Sequence, residues 1–113
     1  VHTPVVKPFD AATVPDAVAG ARVAVSAENH SVIGGLGSAV AEVIAEAGLA
    51  RPLKRIGLQD VFGEGSLSAP YLFEKYGLST QALVEAIWEH AGRPGPAPVA
   101  VRHEVAPGEY QPV

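Results

Sequence analysis

The sequence predicts an α/β domain in three layers, with a mostly parallel or mixed sheet flanked by helices. Three observations predict it. Short β-branched or apolar runs alternate with helical patterns along the chain. One of those runs, residues 22–27 (RVAVSA), is almost continuously apolar, the pattern of a strand covered on both faces. A glycine-rich turn then leads straight into an amphipathic helix, and such strand, helix, strand order with short links implies right-handed crossovers.

Taken in order, residues 1–6 (VHTPVV) form a β-branched run that Pro8 closes, because proline supplies no ladder donor and forces the residue before it to be extended. A first strand is expected there. Residues 10–20 (DAATVPDAVAG) are alanine-rich; Pro15 is tolerated best in a first turn, so a short helix starts near it and ends at Gly20. Residues 22–27 are the second strand. Beyond the glycines, Leu36, Val40, Val43, Ile44 and Ala47 recur at spacings of three and four, opposite Glu42 and Glu46, until Gly48 stops the helix.

Pro52 introduces a third strand at residues 53–58 (LKRIGL), where Lys54 and Arg55 suggest an edge and Gly57 weakens the run. Residues 70–76 make a short helix stopped by Gly77. Ser79 caps a longer one, with Leu83, Val84, Ile87 and Trp88 as its apolar stripe and Gly92 as its end. The division expected is a domain over residues 1–92 and a Pro-rich, extended or disordered tail over residues 93–113. That tail holds five of the ten prolines, and residues 99–101 (VAV) are a candidate edge strand in it.

Composition limits what the chain can do. A length of 113 residues suits one domain, with no room for separate cofactor and substrate domains. The net charge of −4 and eight scattered Lys and Arg provide no basic stripe for a run of phosphates, so nucleic acid is not an expected partner. No apolar run is long enough to span a membrane and no leader marks export; with no cysteine present, a cytoplasmic location is expected. The chain opens on Val1 instead of methionine, which points to processing or to a longer parent.

The segment ENHSVIGGLG at residues 28–37 raises the question of chemistry. Glu28, Asn29, His30, Ser31, Gly34, Gly35 and Gly37 lie where open α/β sheets place their binding crevice, at a strand's carboxyl end and a helix's amino end. They form a candidate anion or domain-contact site. Neither the dinucleotide glycine spacing nor a Gly-Lys-Ser/Thr phosphate loop is present, and the same glycines would serve a tight turn with close helix approach. Glu28 could cap a neighbouring helix or pair with a partner chain.

No catalytic residue is assigned elsewhere. His2, His90 and His103 show no paired ligand spacing, so no metal is assigned. Asp60 and Glu64 in QDVFGEGS read as solvated or capping groups, and the elbow G-x-S-x-G is absent.

Residues 4–10 (PVVKPFD), 28–42 (ENHSVIGGLGSAVAE) and 54–66 (KRIGLQDVFGEGS), with YLFEKYGLST after them, resemble the C-terminal domain of transketolase and its thiamine diphosphate-dependent relatives. The resemblance covers roughly residues 1–92, in the family's order and spacing. It implies a domain whose own first strand and helix are missing here, since residue 1 already matches the second strand. It also implies a fragment or subunit of an enzyme that moves a two-carbon ketol unit from a ketose phosphate to an aldose phosphate.

Thiamine diphosphate and Mg2+ would be bound by domains outside this chain, which alone is expected to be inactive and mainly structural. The partners implied are the thiamine-binding domains or chains of the same enzyme, in a homodimeric parent. Two other readings stand beside this one: a non-catalytic interaction or anion-binding module, and the matching domain of a deoxyxylulose-phosphate synthase or of a 2-oxo acid dehydrogenase beta chain.

Overall fold

A computed structural model describes residues 1–65 and 68–101 of the chain. Its elements run α1 (Thr13–Ala19), β1 (Ala24–Ser31), α2 (Leu36–Glu46), β2 (Leu53–Leu58), α3 (Ala69–Lys75) and α4 (Thr80–His90). Strands β1 and β2 pair in parallel, as the intervening helix requires, with Ala24 opposite Leu53 and Ala27 opposite Ile56.

Among the described residues the sheet has two strands, not three. Residues 1–6, expected as a strand, form none, because no neighbouring ladder reaches them: a groove of about 640 Å³ separates Val1, Thr3 and Val5 from the unpaired edge of β1. Residues 99–101, a candidate edge strand, are also unpaired and lie beside α4. The rest of the expected tail, residues 102–113 with His103, lies outside the described residues.

Strand β1 runs on to Ser31, four residues beyond the apolar stretch, and β2 keeps the bounds expected of it. Their register breaks between Ala27 and Ser31, where Glu28, Asn29 and His30 stand opposite the single residue Gly57. Such a bulge bends one strand and re-aims its side chains. Gly57 makes room for it: a Cβ there would lie 2.8 Å from the His30 carbonyl oxygen and 3.0 Å from Val32 Cγ1.

The core is small. Val14 and Val18 of α1 meet Ile44 of α2, with Phe9, Val40, Val43, Leu49 and Leu53 partly buried around them. Polar contacts close the helix ends. The Asp10 carboxylate accepts from the Thr13 hydroxyl at 2.6 Å, and the Arg51 guanidinium donates to the carbonyls of Val18 and Ala19 at 3.3 and 3.1 Å. Gly48 leaves α2 with φ 63°, the left-handed turn that favours glycine.

Among the described residues β1 is not covered on both faces. Ser26 is buried, with a hydroxyl that has no hydrogen-bond partner, whereas Ala27 is exposed. On α4 the stripe of Leu83, Val84 and Trp88 is only half-buried and Ile87 is exposed. At the far end of the sheet, Leu58 and Asn29 line a cavity of about 160 Å³ with Leu72, Phe73, Tyr76 and Leu78.

Two glycine substitutions separate close approach from chain flexibility. Gly57→Ala forces a methyl into the bulge and is expected to destabilise by about 1–3 kcal/mol, read as a lower midpoint in urea. Gly20→Ala meets open space at a negative φ and is expected to be neutral or to stabilise by up to about 1 kcal/mol.

Candidate functional site

The bulge turns Glu28 away from the β2 ladder and toward the start of α2. Its carboxylate accepts from both amides of the helix's first two residues, Leu36 N–H to Oε2 at 2.7 Å and Gly37 N–H to Oε1 at 3.0 Å. These amides have no partner inside the helix, and the helix dipole favours negative charge there. A side chain from the preceding strand thus supplies the anion, and an external one would have to displace it.

Two more amides of the turn are satisfied by side chains. Ile33 N–H donates to Ser31 Oγ at 3.1 Å and Gly34 N–H to Ser38 Oγ at 3.1 Å. The Ser38 hydroxyl donates in turn to the Val32 carbonyl at 3.0 Å, which also accepts from Arg55 Nη1 at 3.0 Å. Arg55 reaches Ser38 Oγ as well, at 3.2 Å, so one guanidinium ties β2 to the turn and to α2. Ser38 and Arg55 had no local signal in the sequence, because the contact joins residues 17 apart.

The three glycines act differently. Gly34 takes φ 74°, in the left-handed region. Gly35 has no room for a side chain: a Cβ would collide with Glu28 Oε2 and come within 2.8 Å of the Ser31 carbonyl. Gly37 packs α2 against the sheet, and its Cβ would meet Ser26 Oγ at 2.7 Å and the Arg55 stem at 2.9 Å.

Asn29 and His30 remain at the surface beside the turn. His30 Nδ1 lies 2.9 Å from the Ser31 carbonyl oxygen, and no hydrogen bond joins the ring to Glu28. Together with His2 and Thr3 these residues edge a groove of about 610 Å³. The arrangement can hold a turn rigid and present a polar surface.

In the loop after β2, Asp60 takes a positive φ of 47° and Glu64 pairs with Lys75 of α3 at 2.6 Å. The Lys75 hydrogen bond holds the Glu64 carboxyl below its ordinary range, and Glu64 in turn raises Lys75. Glu64 thus anchors this loop to α3.

Residues 1–83 match the family described as "Transketolase, C-terminal domain". The chain belongs to the transketolase C-terminal domain family. It is 48% identical over 89 residues to a 6-deoxy-6-sulfo-D-fructose transketolase subunit of Clostridium sp. (strain MSTE9), covering 79% of this chain and 26% of that protein. It is 39% identical over 84 residues to the 1-deoxy-D-xylulose-5-phosphate synthase of Thiobacillus denitrificans (strain ATCC 25259 / T1), covering 74% of this chain and 13% of the synthase.

Among solved structures, a split-gene transketolase described as an inactive beta4 tetramer superposes with a TM-score of 0.67 at 42% identity, over 76% of this chain and 27% of that one. The chain thus spans about a quarter, or less, of the length of these transketolase-type relatives. The resemblance stated on residues 4–10, 28–42 and 54–66 identifies the family that these matches show.

Loss of the Glu28 contact should weaken the fold and leave chemistry alone. Glu28→Ala is expected to cost about 2 kcal/mol in chemical denaturation, and Gly35→Val or Gly37→Val to disrupt folding and assembly outright. His30→Ala is expected to keep turnover of an assembled enzyme within several-fold of the wild type. A thousandfold loss with folding intact would overturn this reading.

The Glu64–Lys75 pair has its own pH signature. Glu64, lowered when folded, contributes while ionised and loses its contribution as pH falls through the carboxylate range. Lys75, raised when folded, contributes at lower pH and loses its contribution as pH rises past the ordinary lysine value. The difference in stability between wild type and Lys75→Met should therefore shrink at both extremes of a pH series.

Proposed function

We propose that this chain is the C-terminal domain, a fragment or a subunit of a transketolase, mainly structural in role and active only within the assembled enzyme. The parent would transfer a two-carbon ketol unit from a ketose phosphate to an aldose phosphate with thiamine diphosphate and Mg2+. One observation carries the reading: in a chain of this family, the core is open along β1, where an apolar groove of about 640 Å³ runs beside an unpaired strand edge. A folded protein covers such an edge, here with other parts of the same enzyme.

The residues of the turn do not fit the cofactor. A diphosphate needs unpaired donors and its metal needs several oxygen ligands. The amides of Leu36 and Gly37 are held by Glu28, and among the described residues no group of three or more His, Asp or Glu could hold a metal ion. No step of the cofactor's chemistry is assigned to this chain, and we place its binding on the partner domains. We further propose a homodimeric parent in the cytoplasm; among the described residues no helix is long and apolar enough to cross a membrane.

A second reading has its own support. The 39% identity to a 1-deoxy-D-xylulose-5-phosphate synthase favours the matching domain of such an enzyme as the alternative. Native mass spectrometry of untagged material from its source, with thiamine diphosphate and Mg2+ present, tests both. The expected result is a complex with thiamine-binding chains or domains. Ketol transfer by that complex supports transketolase, formation of 1-deoxy-D-xylulose 5-phosphate supports the alternative, and a lone chain that binds no cofactor overturns both in favour of a non-catalytic module.

A further inference from the structure

The segment RPGPAPVA at residues 93–100 has prolines at 94, 96 and 98, which hold φ near about −65° and remove three backbone donors. Such a stretch favours the polyproline II helix, with three residues per turn and about 3.1 Å per residue. Gly92 and Gly95, at φ 62° and 74°, turn the chain back on itself after α4. From there it runs antiparallel to the helix.

Two side chains of α4 read its backbone. Trp88 Nε1–H donates to the Gly95 carbonyl at 3.1 Å; Gln81 Nε2–H donates to the Pro98 carbonyl at 3.4 Å, and Gln81 Oε1 accepts from Ala100 N–H at 2.7 Å. Gln81 thus pairs with a carbonyl and an amide, much as a neighbouring strand would. Glu85 accepts from Gln81 Nε2 at 2.9 Å and keeps that amide in the orientation required. The Arg93 guanidinium lies 6.0 Å from the centre of the Trp88 ring.

The two periods match. Gly95 and Pro98 are one polyproline turn apart, about 9 Å, and Gln81 and Trp88 are close to two α-helical turns apart, about 10.5 Å. Side chains repeat the pattern: Ala97 and Ala100, also three apart, are half-buried, whereas Pro94, Pro96, Pro98 and Val99 are exposed. One edge of the segment, made of two carbonyls and two small residues, faces the helix.

We infer that α4 carries a recognition site for a neutral polyproline II peptide with small residues at three-residue spacing, and that its occupant is the chain's own segment 96–100, led in by the Gly95 carbonyl. Gln81 and Trp88 are the reading residues. The site shares no residue with the turn at Glu28. Joined by a short loop, the segment meets its site at an effective concentration in the millimolar range, so modest contacts suffice to keep it docked.

Trp88 is the single tryptophan, so its emission reports the contact directly. In the full 113-residue chain, Gln81→Ala is expected to shift that emission to the red and to speed amide exchange at Ala100 about tenfold, the equivalent of one lost hydrogen bond. The alanine is a good helix former, so α4 itself should persist in far-ultraviolet circular dichroism. Ala97→Glu should also shift the emission; Val99→Glu, on the outward edge, should not. Equal effects of the two glutamates, or an unchanged Ala100 exchange rate in Gln81→Ala, would overturn the inference. So would Ala100 protection that grows with protein concentration, since it would place the occupant on a second copy.

Discussion

The carboxylate of Glu28 at the start of α2 is the contact on which the rest of the described fold depends. A helix that begins just after a strand leaves its first amides without partners in a part-buried place. Glu28 meets two of them at once, and its charge lies at the favourable end of the helix dipole. Several other features serve that contact. The bulge in β1 aims the side chain, Gly57 accommodates the bulge, Gly35 leaves space for the carboxylate, and Gly37 lets the helix come close to Ser26 and Arg55.

Much of the fold was legible in the sequence because it rests on local patterns. The spacing of Leu36, Val40, Val43 and Ile44 marks α2, the run LKRIGL gives β2 with its observed bounds, and Ser79 accepts from Ala82 N–H as an N-cap does. The misreadings concern strands, whose existence requires a partner elsewhere. Residues 1–6 have strand composition without a ladder, while Glu28, Asn29 and His30 have turn composition and join β1 because Gly57 lies beside them. The candidate site shows the same limit: its residues were identifiable as a group, but a cap contributed from eight residues before the helix lies outside any local capping pattern.

Division of labour between this chain and its surroundings follows from where polar groups are used up. At the glycine turn, the amides of Ile33, Gly34, Leu36 and Gly37 are held by Glu28, Ser31 and Ser38, and Arg55 ties the Val32 carbonyl to β2, leaving a rigid structural corner. Apolar surface is treated in the opposite way. Val14, Val18 and Ile44 form only a small nucleus, and among the described residues no large side chain is wholly shielded from solvent. A domain of this size has little stability to spare. Among the described residues, rigid polar joints thus stand beside an apolar interior that is open.

The open edge of β1 has a consequence for the cell as well as for the fold. A strand with unpaired amides beside an apolar groove is the kind of surface on which chains aggregate and which chaperones and proteases recognise. Whatever covers that groove therefore also shields the chain from aggregation and from proteolysis, so its cover acts on the lifetime of the polypeptide as well as on its stability.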